Sequence, residues 1–264
     1  MDEQLITSVN NNTIKRIRAL RQRRERLEQG RFLVEGIRIV AEAVQTGADV
    51  EYLVVAPELL ISEFAQQLVR DAAVPRLQVS SQVFARLSSK DGPQGLAAVI
   101  KQHWESLNQL VPQAGELWVA LDAPQDPGNL GTIMRTADAV GAAGLILIGN
   151  SADPFDPGAV RASMGSLFAL RLVQTDISSF LRWTAQTQIP VVGTAGAAAV
   201  HYRQVDYHLP LVLLSGSERQ GLPEQLMNAC QHLVSIPMVG RCDSLNLAVA
   251  TSIVLYEIYE QVNR

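Results

Sequence analysis

The chain has 264 residues, 47% of them hydrophobic, which is enough apolar material for real cores and enough length for two domains of ordinary size. Two cysteines and four scattered histidines exclude a disulfide scaffold and show no zinc-ligand spacing, and no apolar run reaches the length of a membrane span. The net charge of −4 argues on its face against a polyanionic partner, but residues 13–38 hold nine basic and three acidic residues, so they carry +6 and the rest of the chain −10.

The first residues, Met1-Asp2-Glu3-Gln4, are polar and acidic and do not read as a secretory leader, so a cytoplasmic protein is expected. Thr13 to Glu28 reads as one basic amphipathic helix with Ile14, Ile17, Leu20 and Leu27 inward. Arg16, Arg18, Arg21, Arg23 and Arg24 then occupy its polar side. A solvated helix face is the plain reading of them, and a surface for RNA phosphates is the functional one. A helix is expected over 36–46, a strand over 50–55, a helix over 58–71 and a strand over 76–79. A serine-opened helix over 80–87, the loop Ser88-Ser89-Lys90-Asp91-Gly92-Pro93 and a strand over 95–100 follow. Residues 1–102 therefore form a small α/β unit. Residues 103–115 contain Pro112 and no strand pattern, and read as a linker.

The remaining stretch, 116–264, begins with a strand over 117–121, the loop 122–128, a helix over 129–140 and a strand over 145–148. An Asp/Pro/Gly-rich loop to Pro157, a helix over 159–166, a strand over 170–173 and a helix over 178–187 come next. Strands over 189–194 and 211–214, a short helix over 223–229, a strand over 233–236 and a long apolar helix to about Tyr259 complete it. Regular alternation of this kind predicts a mostly parallel sheet with helices on both faces.

Three polar clusters follow predicted strands, which is where an α/β ligand site is built. In the first, Asn129 sits where loop becomes helix, so capping is its plain role. Gly131 weakens the first turn unless something approaches the backbone there. Arg135 lies one turn on, and either pairs with Asp138 or uses its fork on a phosphate. In the second, Ser215-Gly216-Ser217-Glu218-Arg219-Gln220-Gly221, glycines free the backbone to face a ligand. No Walker loop, dinucleotide fingerprint or nucleophile elbow is present. In the third, Asp243, Ser244 and Asn246 stand at the mouth of the last helix, where Asp243 and Ser244 read first as caps.

In order and character these blocks resemble the motifs of the SpoU (TrmH-like) branch of the SPOUT RNA methyltransferases. The first runs from Asp126-Pro127-Gly128-Asn129-Leu130-Gly131 through Arg135-Thr136-Ala137. The second is Gly216-Ser217-Glu218 with Gly221-Leu222. The third runs from Ile236-Pro237-Met238 through Ser244-Leu245-Asn246-Leu247-Ala248-Val249-Ala250. The basic front end with Phe32-Leu33-Val34-Glu35-Gly36, and Gln94-Gly95 later, resembles the family's substrate-binding domain, which is similar to ribosomal protein L30e.

The resemblance implies an L30e-like α/β domain followed by a trefoil-knotted α/β domain, acting as a homodimer. It implies methyl transfer from S-adenosylmethionine to a ribose 2′-oxygen, with no metal. Asn129, Arg135, Glu218, Ser244 and Asn246 map onto the family's catalytic positions. Leu214, Gly216, Ile236 and Leu245 map onto its cofactor contacts, with Thr194 at the end of its own strand beside them. Guanidinium stays protonated in proteins, so Arg135 is read as a phosphate grip and oxyanion stabiliser rather than a base. The added N-terminal domain favours large-subunit rRNA as substrate. A tRNA enzyme, an antibiotic-resistance rRNA methyltransferase and a non-catalytic rRNA-binding factor are the alternatives.

Overall fold

A computed structural model describes residues 5–89, 91–218 and 220–264; Met1 to Gln4, Lys90 of the 88–93 loop and Arg219 of the second cluster lie outside the described residues. The chain divides into two units, residues 1–102 with 155–160, and residues 103–154 with 161–264.

The first unit holds α1 (Asn12–Ala19), α2 (Arg23–Gln29), β1 (Arg31–Glu35), α3 (Ile37–Gln45), β2 (Val50–Val55), α4 (Glu63–Asp71), β3 (Arg76–Gln78), α5 (Ser81–Leu87) and β4 (Leu96–Lys101). Its sheet runs β1-β4-β2-β3, with β4 antiparallel to both neighbours and β2 parallel to β3. Ile14, Ile17 and Leu20 pack with Val83, Phe84 and Leu87 over Val54 and Val99 of the sheet. At the start of β4, a Cβ on Gly95 would meet the Ala56 carbonyl at 2.8 Å, and its φ of +75° suits glycine alone.

The basic segment expected as one helix is two. Asn11 accepts from the Thr13 N–H to open α1, and the chain turns at residues 20–22. Arg26 fixes that turn: its guanidinium is 1% exposed and donates to the carbonyls of Leu20 (3.0 Å) and Arg21 (2.9 Å) and to Asp156 (3.2 Å). The break shifts the helical phase, so Leu27, expected inward, is 56% exposed while Arg26 is buried. Strand β1 was not expected; it is short, and only Phe32 and Val34 of its five residues are buried.

The second unit holds β5 (Leu117–Asp122), α6 (Pro127–Ala139), β6 (Gly144–Ile148), β7 (Arg171–Thr175), α8 (Ile177–Thr187), β8 (Val191–Thr194), β9 (Val200–His201), β10 (Leu211–Ser215), α9 (Glu224–Met227), β11 (His232–Ser235) and α10 (Leu247–Val262); the helix α7 (Pro157–Ser163) precedes β7. Its seven strands run β7-β6-β5-β10-β8-β11-β9, and every neighbouring pair is parallel. Alternate residues face opposite sides. Trp118, Ala120, Ile146, Val212 and Leu214 face a core shared with Phe180 and Trp183 of α8, whereas Ser215 bonds Thr251 of α10. Residues 103–115, read as a linker, bring Leu107 and Leu110 into that first core. Leu107 opens one turn of 3-10 helix and Leu110 follows as its C-cap, so spacing that carries no strand signal still buries two side chains.

Candidate active site

The parallel register lines up the strand ends. Ser215 of β10 pairs with Leu121 of β5 and with Thr194 of β8, and Thr194 pairs with Val234 of β11. Four neighbouring strands therefore release their following loops from one edge, the edge where open α/β sheets place ligands. Thr194, Leu214, Gly216 and Ile236 all lie at or just beyond these ends. Leu214 is buried, and Thr194 and Ile236 are partly so.

After β10 the chain makes a tight loop. Ser217 and Gly221 exchange backbone hydrogen bonds of 3.2 and 3.0 Å, and Gly221 has a φ of +66°. A Cβ on Gly216 would lie 2.2 Å from the Gly221 carbonyl carbon, so only glycine closes this loop. The closure holds Glu218 beside the start of α6.

Helix α6 opens with Asp126, whose carboxylate accepts from the Asn129 N–H at 2.7 Å, and with Pro127 in its first turn. The expected cap, Asn129, is thus released for other work. Asp-Pro is a strong opening signal, because proline in the first turn has no N–H to leave unpaired. Asn129 Nδ2 donates to Glu218 Oε1 at 3.2 Å, and Asn246 Nδ2 donates to Asn129 Oδ1 at 2.9 Å. Asn246 is itself the cap of α10, its Oδ1 accepting from the N–H groups of Ala248 and Val249. Asp243 and Ser244, read as caps, lie upstream of the helix and are exposed. The correction has a physical reason: the capping residue must be the one whose carbonyl starts the helical ladder, and Ala250 N–H bonds to the Asn246 carbonyl.

One residue from each sequence block thus joins a single hydrogen-bonded relay, Asn246 to Asn129 to Glu218. Arg135 is exposed on α6 and has no hydrogen bond or ion pair with any described residue, so the Asp138 pairing is not formed. Ser244 and Leu245 are exposed in the loop before α10 and make no side-chain hydrogen bond to the relay. Two hydroxyl contacts that the sequence did not announce hold α10 in place: Thr251 to Ser215 at 3.0 Å, fully buried, and Ser252 to Thr136 of α6 at 2.9 Å.

The arginines of the first unit divide. Arg16, Arg18, Arg23 and Arg24 are exposed. Arg21, expected to hold phosphate, instead spends its guanidinium on the end of α5, donating to the carbonyls of Leu87 (2.9 Å) and Ser88 (2.6 Å). Glu35 anchors the following loop, accepting from the Ser88 hydroxyl and from the Ser89 N–H at 3.0 Å. Among the described residues no cluster of metal-ligating side chains is present, and no helix is long and apolar enough to cross a membrane.

A parallel sheet with a glycine-closed loop and a polar relay at its strand ends defines an α/β domain built to bind a ligand and place polar groups beside it. The chain belongs to the SpoU rRNA methylase family, whose model matches residues 116–256, while residues 11–98 match the MRM3-like substrate binding domain. It is 35% identical to a 23S rRNA (uridine(2479)-2′-O)-methyltransferase of Streptomyces viridochromogenes, over 92% of this chain and 87% of the relative. It is 29% identical to the 23S rRNA (guanosine(2553)-2′-O)-methyltransferase RlmP of Bacillus subtilis, over 96% and 98% of the two chains. Among solved structures, an AdoMet-bound rRNA methyltransferase from Sinorhizobium meliloti matches with a TM-score of 0.89 and 40% identity, covering 98% of each chain.

Proposed function

We propose that this protein transfers a methyl group from S-adenosylmethionine to a ribose 2′-oxygen of large-subunit rRNA. The observation that carries the reading is the relay Asn246–Asn129–Glu218, which unites the three sequence blocks at one sheet edge. The relatives named above support the substrate class.

The residues present fit the cofactor. Thr194, Leu214, Gly216 and Ile236 gather at neighbouring strand ends, and Leu245 adds apolar surface from the loop before α10. Leucine, isoleucine and glycine give an adenine ring apolar walls and leave backbone N–H and C=O groups to read its edge. S-adenosylmethionine supplies an electrophilic methyl group. The chain supplies orientation. Glu218 holds the Asn129 amide, Asn129 holds Asn246, and Asn246 fixes the start of α10, so the site is set before RNA arrives. Arg135 is exposed, has no partner among the described residues, and serves as the phosphate grip and stabiliser of charge on the 2′-oxygen. Ser244 places the ribose.

The test is purified protein with labelled S-adenosylmethionine and separate rRNA and tRNA pools. Label in rRNA is expected. Label in tRNA alone would move the substrate, and label in neither would favour a binding factor without catalysis.

Residues 1–102 serve as the RNA-binding domain and 116–264 as the transfer domain of a cytoplasmic enzyme. A trefoil knot is supported by β10 lying between β5 and β8, out of chain order, with α10 returning across β10; crystallographic tracing through residues 187–247 tests it. A homodimer is supported by an exposed apolar stripe on α10. Val249, Tyr256 and Tyr259 are 48%, 49% and 38% exposed, and the first two line a groove of about 380 Å³ with Thr132 and Ile253. Light scattering should give twice the chain mass, and Tyr256→Arg should halve it.

A further inference from the structure

We propose that the Asp122 carboxylate is a further binding residue of this site and holds positive charge on S-adenosylmethionine. The inference rests on the cofactor reading above and adds a residue that lies outside all three sequence blocks. Asp122 is the last residue of β5. It pairs with Ile148 of β6, and its predecessor Leu121 pairs with Ser215 of β10, so Asp122 stands level with Gly216. Alternation along β5 puts it on the face of Trp118 and Ala120, the face that Leu214 and Ile148 also share. A carboxylate therefore ends a row of apolar side chains beside the glycine-closed loop.

Asp122 is 9% exposed and has no hydrogen bond or ion pair with any described residue. Its oxygens still reach solvent at the sheet edge, since every fully buried side-chain oxygen and nitrogen among the described residues has a hydrogen-bond partner, so the charge is only partly desolvated and lies open to a ligand. The other buried charges differ: Arg26 pairs with Asp156, and Asp153 has a partner. Burial alone pushes the Asp122 carboxyl above its ordinary range. Directly after it, Ala123 has a φ of +46°, a conformation rare outside glycine that turns the chain sharply at the sheet edge. A mostly buried carboxylate with no partner among the described residues, its oxygens open at a ligand edge, is a site for a cation, because attraction between charges grows as a bound ligand excludes the remaining water.

S-adenosylmethionine offers two cations, the sulfonium and the amino-acid ammonium. S-adenosylhomocysteine keeps only the ammonium, and methylthioadenosine has neither. Titration calorimetry with these three probes on the wild type and on Asp122→Asn is the test. S-adenosylmethionine should bind about tenfold more weakly to the variant, the size of removing one charge-assisted interaction, and methylthioadenosine within about twofold of the wild type. S-adenosylhomocysteine retaining its affinity identifies the sulfonium, and its weakening alongside identifies the ammonium; both outcomes uphold the proposal. Unchanged S-adenosylmethionine affinity, or equal loss for all three probes, overturns it. A wild type that binds none of the probes would instead overturn the cofactor reading itself. Asp122→Ser is the second neutral variant, and both should melt at or above the wild-type temperature, since each removes a partly desolvated acid with no partner among the described residues.

Discussion

At the scale of single residues, the relay fixes its own orientation. Asn246 Oδ1 accepts from two backbone N–H groups, so its amide nitrogen must face Asn129. Asn129 then presents its oxygen there and turns its nitrogen to Glu218, a carboxylate that can only accept. Removing the middle member breaks both links. Asn129→Ala is expected to lower methyl-transfer turnover about 100-fold, the range for removing one preorganised donor, with the melting temperature little changed. Arg135→Lys keeps charge and loses the fork; turnover should fall, and retained turnover with only weaker RNA binding would remove the oxyanion role. The two cysteines should react differently. Burial pushes the Cys230 thiol up to about 12, and its Sγ sits 3.2 Å from the Leu226 carbonyl, while Cys242 is exposed. Iodoacetamide at neutral pH should label Cys242 and reach Cys230 only after unfolding, which peptide mass spectrometry reads directly.

At the scale of elements, helix openings carry much of the site. Asn246 both caps α10 and bonds Asn129, so Asn246→Ala should cost about 1 kcal/mol through the missing cap and also loosen the relay. Denaturant melts and turnover should therefore move together in that variant. Strand β7 is tied by Arg171, which bonds both Glu105 oxygens at 2.8 Å and Glu116 at 3.2 Å and lies 4.9 Å over the Trp118 ring. The hydrogen bond from Arg171 holds the Glu105 carboxyl below its ordinary range. The unfolded chain then takes up a proton at higher pH than the folded one. The stabilisation is complete above the unfolded glutamate pKa of about 4.3 and is lost as pH falls through the lower folded value. Glu105→Gln should flatten the acid limb of a melting-temperature profile and leave slopes near neutral pH unchanged. The first unit contains the opposite case, a buried charge. Asp156→Ala removes one carboxylate from the buried Arg26 and should destabilise by roughly 1–3 kcal/mol, below the full cost of a buried pair because Asp156 is 33% exposed.

At the scale of the molecule, charge is segregated between segments that share one chain. The first unit exposes Arg16, Arg18 and Arg24, whereas Arg21 is committed to the carbonyls ending α5. Reversing Arg16, Arg18 and Arg24 to Glu should weaken rRNA binding and reduce the slope of log affinity against log salt by about 2 to 3, one unit or slightly less for each phosphate no longer neutralised. Filter binding across a salt series checks this. Arg21→Ala should instead lower stability and leave the salt slope nearly unchanged, and the contrast separates a binding arginine from a structural one.

The sequence alone determined the alternation of strand and helix and the three blocks that mark the family, because strand-forming runs and turn residues are local signals. It also exposed the basic segment, since charge is read by counting. The break between α1 and α2, by contrast, depends on Arg26 reaching Asp156, 130 residues away, and no local periodicity reports such an interaction. Strand β1 and the burial of Leu107 and Leu110 were hidden for the same reason: each is short, and its partners come from elsewhere in the chain. The caps of α6 and α10 were misplaced by a few residues because several polar side chains compete at each opening and only the helical ladder chooses among them. The tertiary structure decided which polar residues meet, bringing Asn129, Glu218 and Asn246 together across separations of 89 and 117 residues while giving Arg135 and the mostly buried Asp122 no partner among the described residues. Here the parallel sheet aligns the ends of strands far apart in sequence, and their loops carry the three side chains together.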